Sequence, residues 1–283
     1  MPLASALLCA LPINCRGFFG RIAGSILFRT DRSKRRVIAS NLLNLFGART
    51  ATPAFIGRTA RKTFNHLARA TVDMLLIPKL NQQRLEVMAE TRGRNYLDQA
   101  LSRGRGVIFV TAHLGGWELG TAYYASLGYP VVTIFEPLPA GVIETLIRYR
   151  TRAGMEIILM NEPLKILRAL KNKKVLAIAG DRDLTGTGIE LPFGHGRRCV
   201  PRGPATLALR TDAPILVGCL VANPGATGRP YLGIIEPPID FTPTGDQAAD
   251  VLKLTEQITA RLCRLIQTYP DQWFVFQEEW RHR

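Results

Sequence analysis

Several short signatures that would place this sequence at once are missing from it, and each absence removes a class of chemistry. No G-x-S-x-G elbow occurs, so the usual strand-to-helix serine nucleophile is absent. Neither dinucleotide nor Walker fingerprints are present: Gly104-Arg105-Gly106 precedes an apolar run instead of following one, and Gly186 and Gly188 lead into no clear phosphate-binding helix. The four histidines, at 66, 113, 195 and 282, have no ligand spacing, so no metal is expected. Five cysteines, at 9, 15, 199, 219 and 263, are odd in number and also without ligand spacing, which suits a reducing compartment. No apolar run approaches the roughly 20 residues of a membrane-spanning helix. The opening MPLASALLCA has no Lys or Arg to lead a signal peptide.

What is present is a chain of 283 residues, 47% hydrophobic, enough to bury the core of one large domain. Its formal charge is +15, and residues 1–100 carry most of it, with 16 Lys or Arg against 5 Asp or Glu, a net of +11. Such an excess calls for an anionic partner, either nucleic acid or an anionic membrane surface. The neighbouring sequence favours the membrane: Leu3–Leu11 and Phe18–Phe28 (FFGRIAGSILF) are broken apolar runs of a length that lies in an interface, with basic residues close by. Ordinary core helices are the competing reading. Residues 1–80 are therefore expected to form basic membrane-associating helices, with no nucleic acid bound, and residues 81–283 an α/β core continuous with them.

Along the chain, VIASNLLNLFG presents an apolar face ended by Gly47, and Phe55–Leu76 reads as a long helix stopped by Pro78. Strands are then expected at Val87–Glu90, Val107–Ala112, Pro130–Phe135, Met155–Met160, Lys174–Ala179, Pro214–Leu220 and Tyr231–Ile235. Between and after them fall helices near Arg94–Ser102, Trp117–Leu127, Gly141–Ala153, Pro163–Lys171, Gly203–Arg210 and Gln247–Gln267. This alternation predicts an α/β fold with a mostly parallel central sheet flanked by helices and right-handed crossovers.

The stretch GVIFVTAHLGGWELG, Gly106–Gly120, is where chemistry would concentrate. Its buried strand delivers His113 to the carboxyl end, where α/β folds usually place their sites. Glu118 follows past the Gly115-Gly116 turn, at the start of the next helix. A carboxylate on one ring nitrogen fixes the tautomer and leaves the other nitrogen to take a proton from a hydroxyl. On its own, a histidine with a nearby glutamate reads more readily as structural. Two other strands also end in acids, at Glu136 and at Asp181-Arg182-Asp183. The second group is either a ligand-facing cluster or an internal salt-bridge network.

HLGGWELG resembles the His-x4-Asp/Glu acyltransferases, in the branch holding the bacterial lipid A late acyltransferases and the phosphatidylinositol mannoside acyltransferases. The resemblance extends through GDRDLTGTGIELPFGHGRRCVPRGPATLALRTDAPIL, Gly180–Leu216, and YPDQWFVFQEEW, Tyr269–Trp280. TGTGIELPFG and the broken N-terminal runs look more like the mannoside branch, whereas the two acids of QEEW depart from many relatives. What the resemblance implies is a glycerol-3-phosphate-acyltransferase-like fold at the cytoplasmic face of the bacterial inner membrane, peripheral or monotopic. It further implies transfer of a fatty acyl group from a thioester to a hydroxyl of a membrane glycolipid or phospholipid. No permanent cofactor is implied; acyl-CoA is the favoured donor and acyl carrier protein the alternative.

On that footing His113 is the general base and Glu118 its orienting acid. Glu190 and Glu136 match acidic positions of the mannoside branch; Glu190, set among apolar residues, is a second proton-handling candidate if buried. Arg150, with Arg148 and Arg152 as rivals, is placed to meet a phosphate or pantetheine-linked donor, and Asp181 and Arg182 are candidate ligand groups. Trp117 either lines the acyl channel or packs on the sheet, and Trp273, Phe274 and Phe276 read as a terminal strand or clamp. Backbone N–H groups around Gly115 and Gly116 are candidates for an oxyanion site. A thioesterase and a nonenzymatic binding protein for anionic membrane or nucleic acid are the rival functional readings.

Overall fold

The computed structural model of the protein describes residues 13–77, 80, 82–136, 144, 147, 150–151, 154–225 and 228–281. The apolar run Leu3–Leu11 and the rival cations Arg148 and Arg152 lie outside them. Among the described residues three helices come first: α1 (Ile13–Thr30), α2 (Arg32–Phe46) and α3 (Pro53–Leu76). Asp31 divides the first two, its carboxylate accepting the Lys34 N–H at the start of α2. Thr52 caps α3 the same way, with Pro53 in the first turn, where a missing N–H costs nothing.

The rest alternates, as the sequence pattern predicts. It runs α4 (Gln82–Glu86), β1 (Ala89–Arg92), α5 (Arg94–Ser102), β2 (Val107–Thr111), α6 (Trp117–Ser126), β3 (Val131–Phe135), β4 (Glu156–Leu159), α7 (Pro163–Lys171) and β5 (Val175–Ala179). Then follow β6 (Ile189–Phe193), β7 (Gly196–Val200), α8 (Gly203–Thr211), β8 (Ile215–Ala222), β9 (Tyr231–Ile235), α9 (Gln247–Thr268) and a single 3-10 turn at Pro270–Gln272. The expected helix Gly141–Ala153 is described only at Glu144, Ile147, Arg150 and Thr151, all helical.

Seven strands form one sheet in the order β1-β9-β8-β2-β5-β3-β4. The five from β8 to β4 are parallel, while β9 runs antiparallel to β8 and carries β1 beside it. β2 sits between β8 and β5 and shows why its sequence is continuously apolar. Ile108 and Val110 pack toward α9 with Leu254, Ile258 and Leu262, whereas Val107 and Phe109 pack toward α5 and α6 with Leu97, Leu119 and Ala122. β6 and β7 form a separate antiparallel hairpin that the sequence reading did not contain.

The N-terminal helices are tied to this core. Leu45 of α2 belongs to the main apolar cluster, and Ile38, Leu42, Ala60 and Phe64 join α2 to α3 with Phe276 of the C-terminal segment against them. Asn41 links the same two ends of the chain, donating to the Val275 carbonyl and accepting from the Trp280 indole. The Phe18–Phe28 run is part of α1, which packs on α3 through Gly20 and Gly24 and leaves Ile22, Ile26 and Leu27 exposed. Among the described residues no helix is long and apolar enough to cross a membrane.

Candidate active site

β2 and β5 are neighbours in register, Thr111 opposite Ala179, so the residues just beyond them emerge side by side. Those residues are His113 and Asp181. The His113 ring Nδ1 lies 2.8 Å from Asp181 Oδ1, and the His113 backbone N–H donates to Oδ2 at 3.0 Å. A third donor, the Trp273 indole Nε1–H, reaches Oδ2 at 2.9 Å. Asp181 is fully buried. Burial alone would raise its pKa, but the His113 charge and the three hydrogen bonds overcome that and hold it down to about 2. Burial likewise disfavours a charged His113, and the Asp181 carboxylate outweighs it, so the imidazole pKa is raised. An ionised Asp181 accepting Nδ1–H leaves Nε2 as the basic nitrogen.

The carboxylate that meets the His113 ring is thus Asp181, where the sequence reading expects Glu118. Glu118, in the first turn of α6, is turned to Arg150 and forms an ion pair with it. The buried Arg150 guanidinium also lies over the Phe135 ring, 4.2 Å from its centroid. Glu118 lines the same cleft as His113, but Nδ1 is taken by Asp181 and the Glu118 carboxylate by Arg150.

Gly115 and Gly116 have work other than an oxyanion site. The Gly115 N–H donates to the Gln272 carbonyl at 2.8 Å and the Gly116 N–H to the Leu220 carbonyl at 2.7 Å. Gly115 adopts φ +61°, and a side chain there would press into the Leu220 carbonyl, so this turn requires glycine. The expectation fails because these amides are consumed in fastening the loop to β8 and to the chain's end.

One open cleft gathers most of the remaining candidates: His113, Trp117, Glu118, Glu136, Arg150 and Arg182 line it, with Thr111, Thr133, Phe135 and Ala177. Arg182 is held at its wall by Glu279, 3.0 Å away. A second, narrow apolar cavity lies between the sheet and α5–α6, lined by Leu97, Phe109, Tyr124, Val131, Val175, Cys219 and Leu220. Thr111, Trp117, Thr121 and Ala177 belong to both linings, so the polar cleft and the apolar one share a wall. Trp117 also meets the His113 ring edge-on at 5.6 Å. Burial pushes the Cys219 thiol up to about 12, which keeps it protonated and makes it lining instead of nucleophile.

Glu190 stands apart from this lining. On β6 its side chain is 46% exposed and paired with Arg197 at 2.7 Å, so the burial that a proton-handling role requires is not there. Strand alternation explains this: Leu191 and Phe193 point into the core and Glu190 to the other side of the hairpin. Among the described residues no group of three or more His, Cys, Asp or Glu is arranged to hold a metal. Two contributors were not legible beforehand in these roles. The sequence offers Asp181 as a ligand-facing or salt-bridging acid at a strand end and Trp273 as part of a terminal strand or clamp, and neither signal pairs them, since they lie 92 positions apart.

A parallel α/β sheet with a histidine–carboxylate pair at its carboxyl end, His113 lining a cleft that adjoins an apolar cavity, is the framework of an α/β enzyme. The chain belongs to the bacterial lipid A biosynthesis acyltransferase family, whose family model matches residues 3–282. It is also similar to the phosphatidylinositol mannoside acyltransferase of Mycobacterium tuberculosis (strain ATCC 25618 / H37Rv), 27% identical over 216 residues, 74% of this chain and 66% of the relative. The protein of that name from Mycolicibacterium smegmatis is 27% identical over 227 residues, 78% of this chain and 71% of the relative. The chain thus spans about two thirds of the length of these curated relatives.

Proposed function

We propose that the protein is an O-acyltransferase that moves a long-chain fatty acyl group from a thioester to a hydroxyl of a membrane glycolipid or phospholipid. The observation that carries this reading is the His113–Asp181 pair, with His113 lining a cleft that shares Thr111, Trp117, Thr121 and Ala177 with an apolar cavity. Family membership and the mannoside acyltransferase relatives support the same class of reaction.

In the proposed reaction His113 Nε2 removes the proton from the acceptor hydroxyl as its oxygen attacks the thioester carbonyl. The new C–O bond forms, the C–S bond breaks, and the imidazolium returns its proton to the departing thiolate. No covalent acyl-enzyme is needed. Asp181 holds the tautomer and stabilises the imidazolium while remaining ionised, because His113 and Trp273 supply its compensating donors. The apolar cavity takes the acyl chain, with Trp117 at its entrance. Arg150 and Arg182 give the polar cavity positive charge beside the developing oxyanion or the donor's phosphates, and Glu136 at its edge accepts hydrogen bonds from acceptor hydroxyls. Acyl-CoA is the favoured donor and acyl carrier protein the alternative.

The exposed Ile22, Ile26 and Leu27 of α1, flanked by Arg21 and Arg29, support docking on an anionic bilayer at the cytoplasmic face, with the polar cavity open to lipid acceptors. The test is thiol release from palmitoyl-CoA on anionic vesicles, with and without a crude glycolipid extract, in the unsubstituted protein and in His113→Ala. Release that depends on both extract and His113 is the expected result. Release indifferent to any acceptor would make the protein a thioesterase, and silence with acyl-CoA but turnover with acyl carrier protein would reassign the donor. Silence with both donors would overturn the enzymatic reading in favour of a binding protein.

A further inference from the structure

The C-terminal segment is bonded into the site more closely than packing requires. Residues 272–274 run antiparallel to the His113–Gly115 loop: the Phe274 N–H donates to the His113 carbonyl at 2.8 Å, Leu114 bridges to Trp273, and the Gln272 carbonyl receives the Gly115 N–H. Gln272 is anchored in turn by its side-chain oxygen, which accepts the Ala222 N–H of β8 at 2.7 Å. From this clamp the Trp273 indole turns inward to Asp181, stacked on Phe193 with ring centroids 5.9 Å apart and planes at 18°. The Arg198 guanidinium, completely buried, covers the same indole at 5.2 Å and donates to Glu279 at 2.8 Å.

The division of labour on Asp181 is specific. Oδ2 receives two donors, the His113 amide and the Trp273 indole, and Oδ1 is left to the imidazole. Two donors on one oxygen fix the carboxylate plane, and with it the direction from which Nδ1–H is accepted. They also withdraw charge from the carboxylate and so set how strongly it holds an imidazolium.

Building on the reaction proposed above, we propose that Trp273 is a positioning residue: its Nε1–H locks Asp181 in the plane that presents His113 Nε2 to the acceptor hydroxyl and limits the basicity of the pair. The other charges facing the pair are Arg182 from the exit of β5, Glu118 of α6 in its pair with Arg150, and Arg198 of β7 in its pair with Glu279. Asp183, next along the loop, is occupied with the Thr185 and Gly188 amides. Replacing only the indole N–H keeps the ring that Arg198 covers and leaves the other pairs in place.

The experiment compares the full-length protein with Trp273→Phe and with Trp273→3-benzothienylalanine, which keeps both rings and replaces N–H by sulfur. Two readouts are taken: the titration of the His113 ring by 15N NMR without substrate, assigned by its loss in His113→Ala, and the pH dependence of palmitoyl-CoA cleavage. Freed of one donor, Asp181 holds the imidazolium more tightly. The His113 midpoint and the acid limb of the rate therefore both move to higher pH, and kcat falls about tenfold, the equivalent of one charge-assisted hydrogen bond, with KM within about twofold. A role in packing alone predicts an unmoved midpoint and limb in the sulfur variant, whatever happens to its melting temperature, and that result overturns the inference. Absence of turnover in the unsubstituted protein overturns the reading of the reaction instead, which the NMR titration does not depend on.

Discussion

His113 and Asp181 are 68 positions apart in the chain, yet Nδ1 and Oδ1 stand 2.8 Å apart because β2 and β5 lie side by side and end at the same level. The pair fixes the sign of the pH dependence. His113 must be neutral to accept a proton, and Asp181 raises its pKa, so cleavage is lost as pH falls through a value above the ~6.5 of an isolated histidine. In Asp181→Asn the burial that favours a neutral ring and the nearby Arg182 charge both remain while the carboxylate is gone. The limb then moves to lower pH, and the maximal rate drops by about 10²–10⁴ because the tautomer is no longer held. A pH–rate profile of the two proteins checks this; an unmoved limb would detach Asp181 from the base.

Glu118 and Arg150 call for a different signature. Both lie at the cavity wall, and Arg150 is nearly inaccessible. Neutralising one partner leaves a buried charge without its counterion, a change that costs roughly 3–5 kcal/mol at buried pairs. Glu118 is partly open to the cavity, so the lower end applies. Glu118→Gln is expected to lower the melting temperature by several degrees and to move the acid limb slightly to lower pH, because the Glu118 charge is the weakest of those that raise the His113 pKa. Adding Arg150→Met should recover much of the loss in melting temperature, since no unpaired cation then remains. Calorimetry of the three variants with their pH profiles separates this pair from the His113–Asp181 pair.

The same residues show what could be read before folding was known. Local signals carried far: Pro163–Lys171 and Tyr231–Ile235 agree residue for residue with the helix and strand expected there, because proline, apolar runs and charged ends mark them within the segment itself. Part of the polar lining was also accessible, since a strand's carboxyl end is visible as the point where apolar residues give way to His113 or Glu136. Which of those groups touch was not accessible. Sheet order decides it, and β5 lies between β2 and β3 although it follows both in the chain. Glu190 failed for the opposite reason: its apolar neighbours suggested burial, but in the hairpin β6–β7 alternate residues face opposite sides.

Ala177 offers a test of where the acyl chain lies. On β5 it pairs with Phe109 of β2 and Thr133 of β3, and its small side chain belongs to the wall shared by the polar and apolar cavities. A larger residue there closes the passage without touching His113, Asp181 or Trp273. Each methylene of a chain that reaches the apolar cavity contributes up to ~0.8 kcal/mol, so a long donor depends on the passage and a short one hardly does. For Ala177→Leu, kcat/KM for palmitoyl-CoA is expected to fall about tenfold or more while that for a short-chain donor such as butyryl-CoA changes less than about threefold. A series of saturated donors measured at one pH, with a thermal melt to account for crowding in the sheet, provides the comparison. An equal decline at every chain length would mean that the substitution disturbs the sheet and that the acyl chain runs elsewhere; a decline that steepens with each added pair of carbons places the chain in the cavity between the sheet and α5–α6.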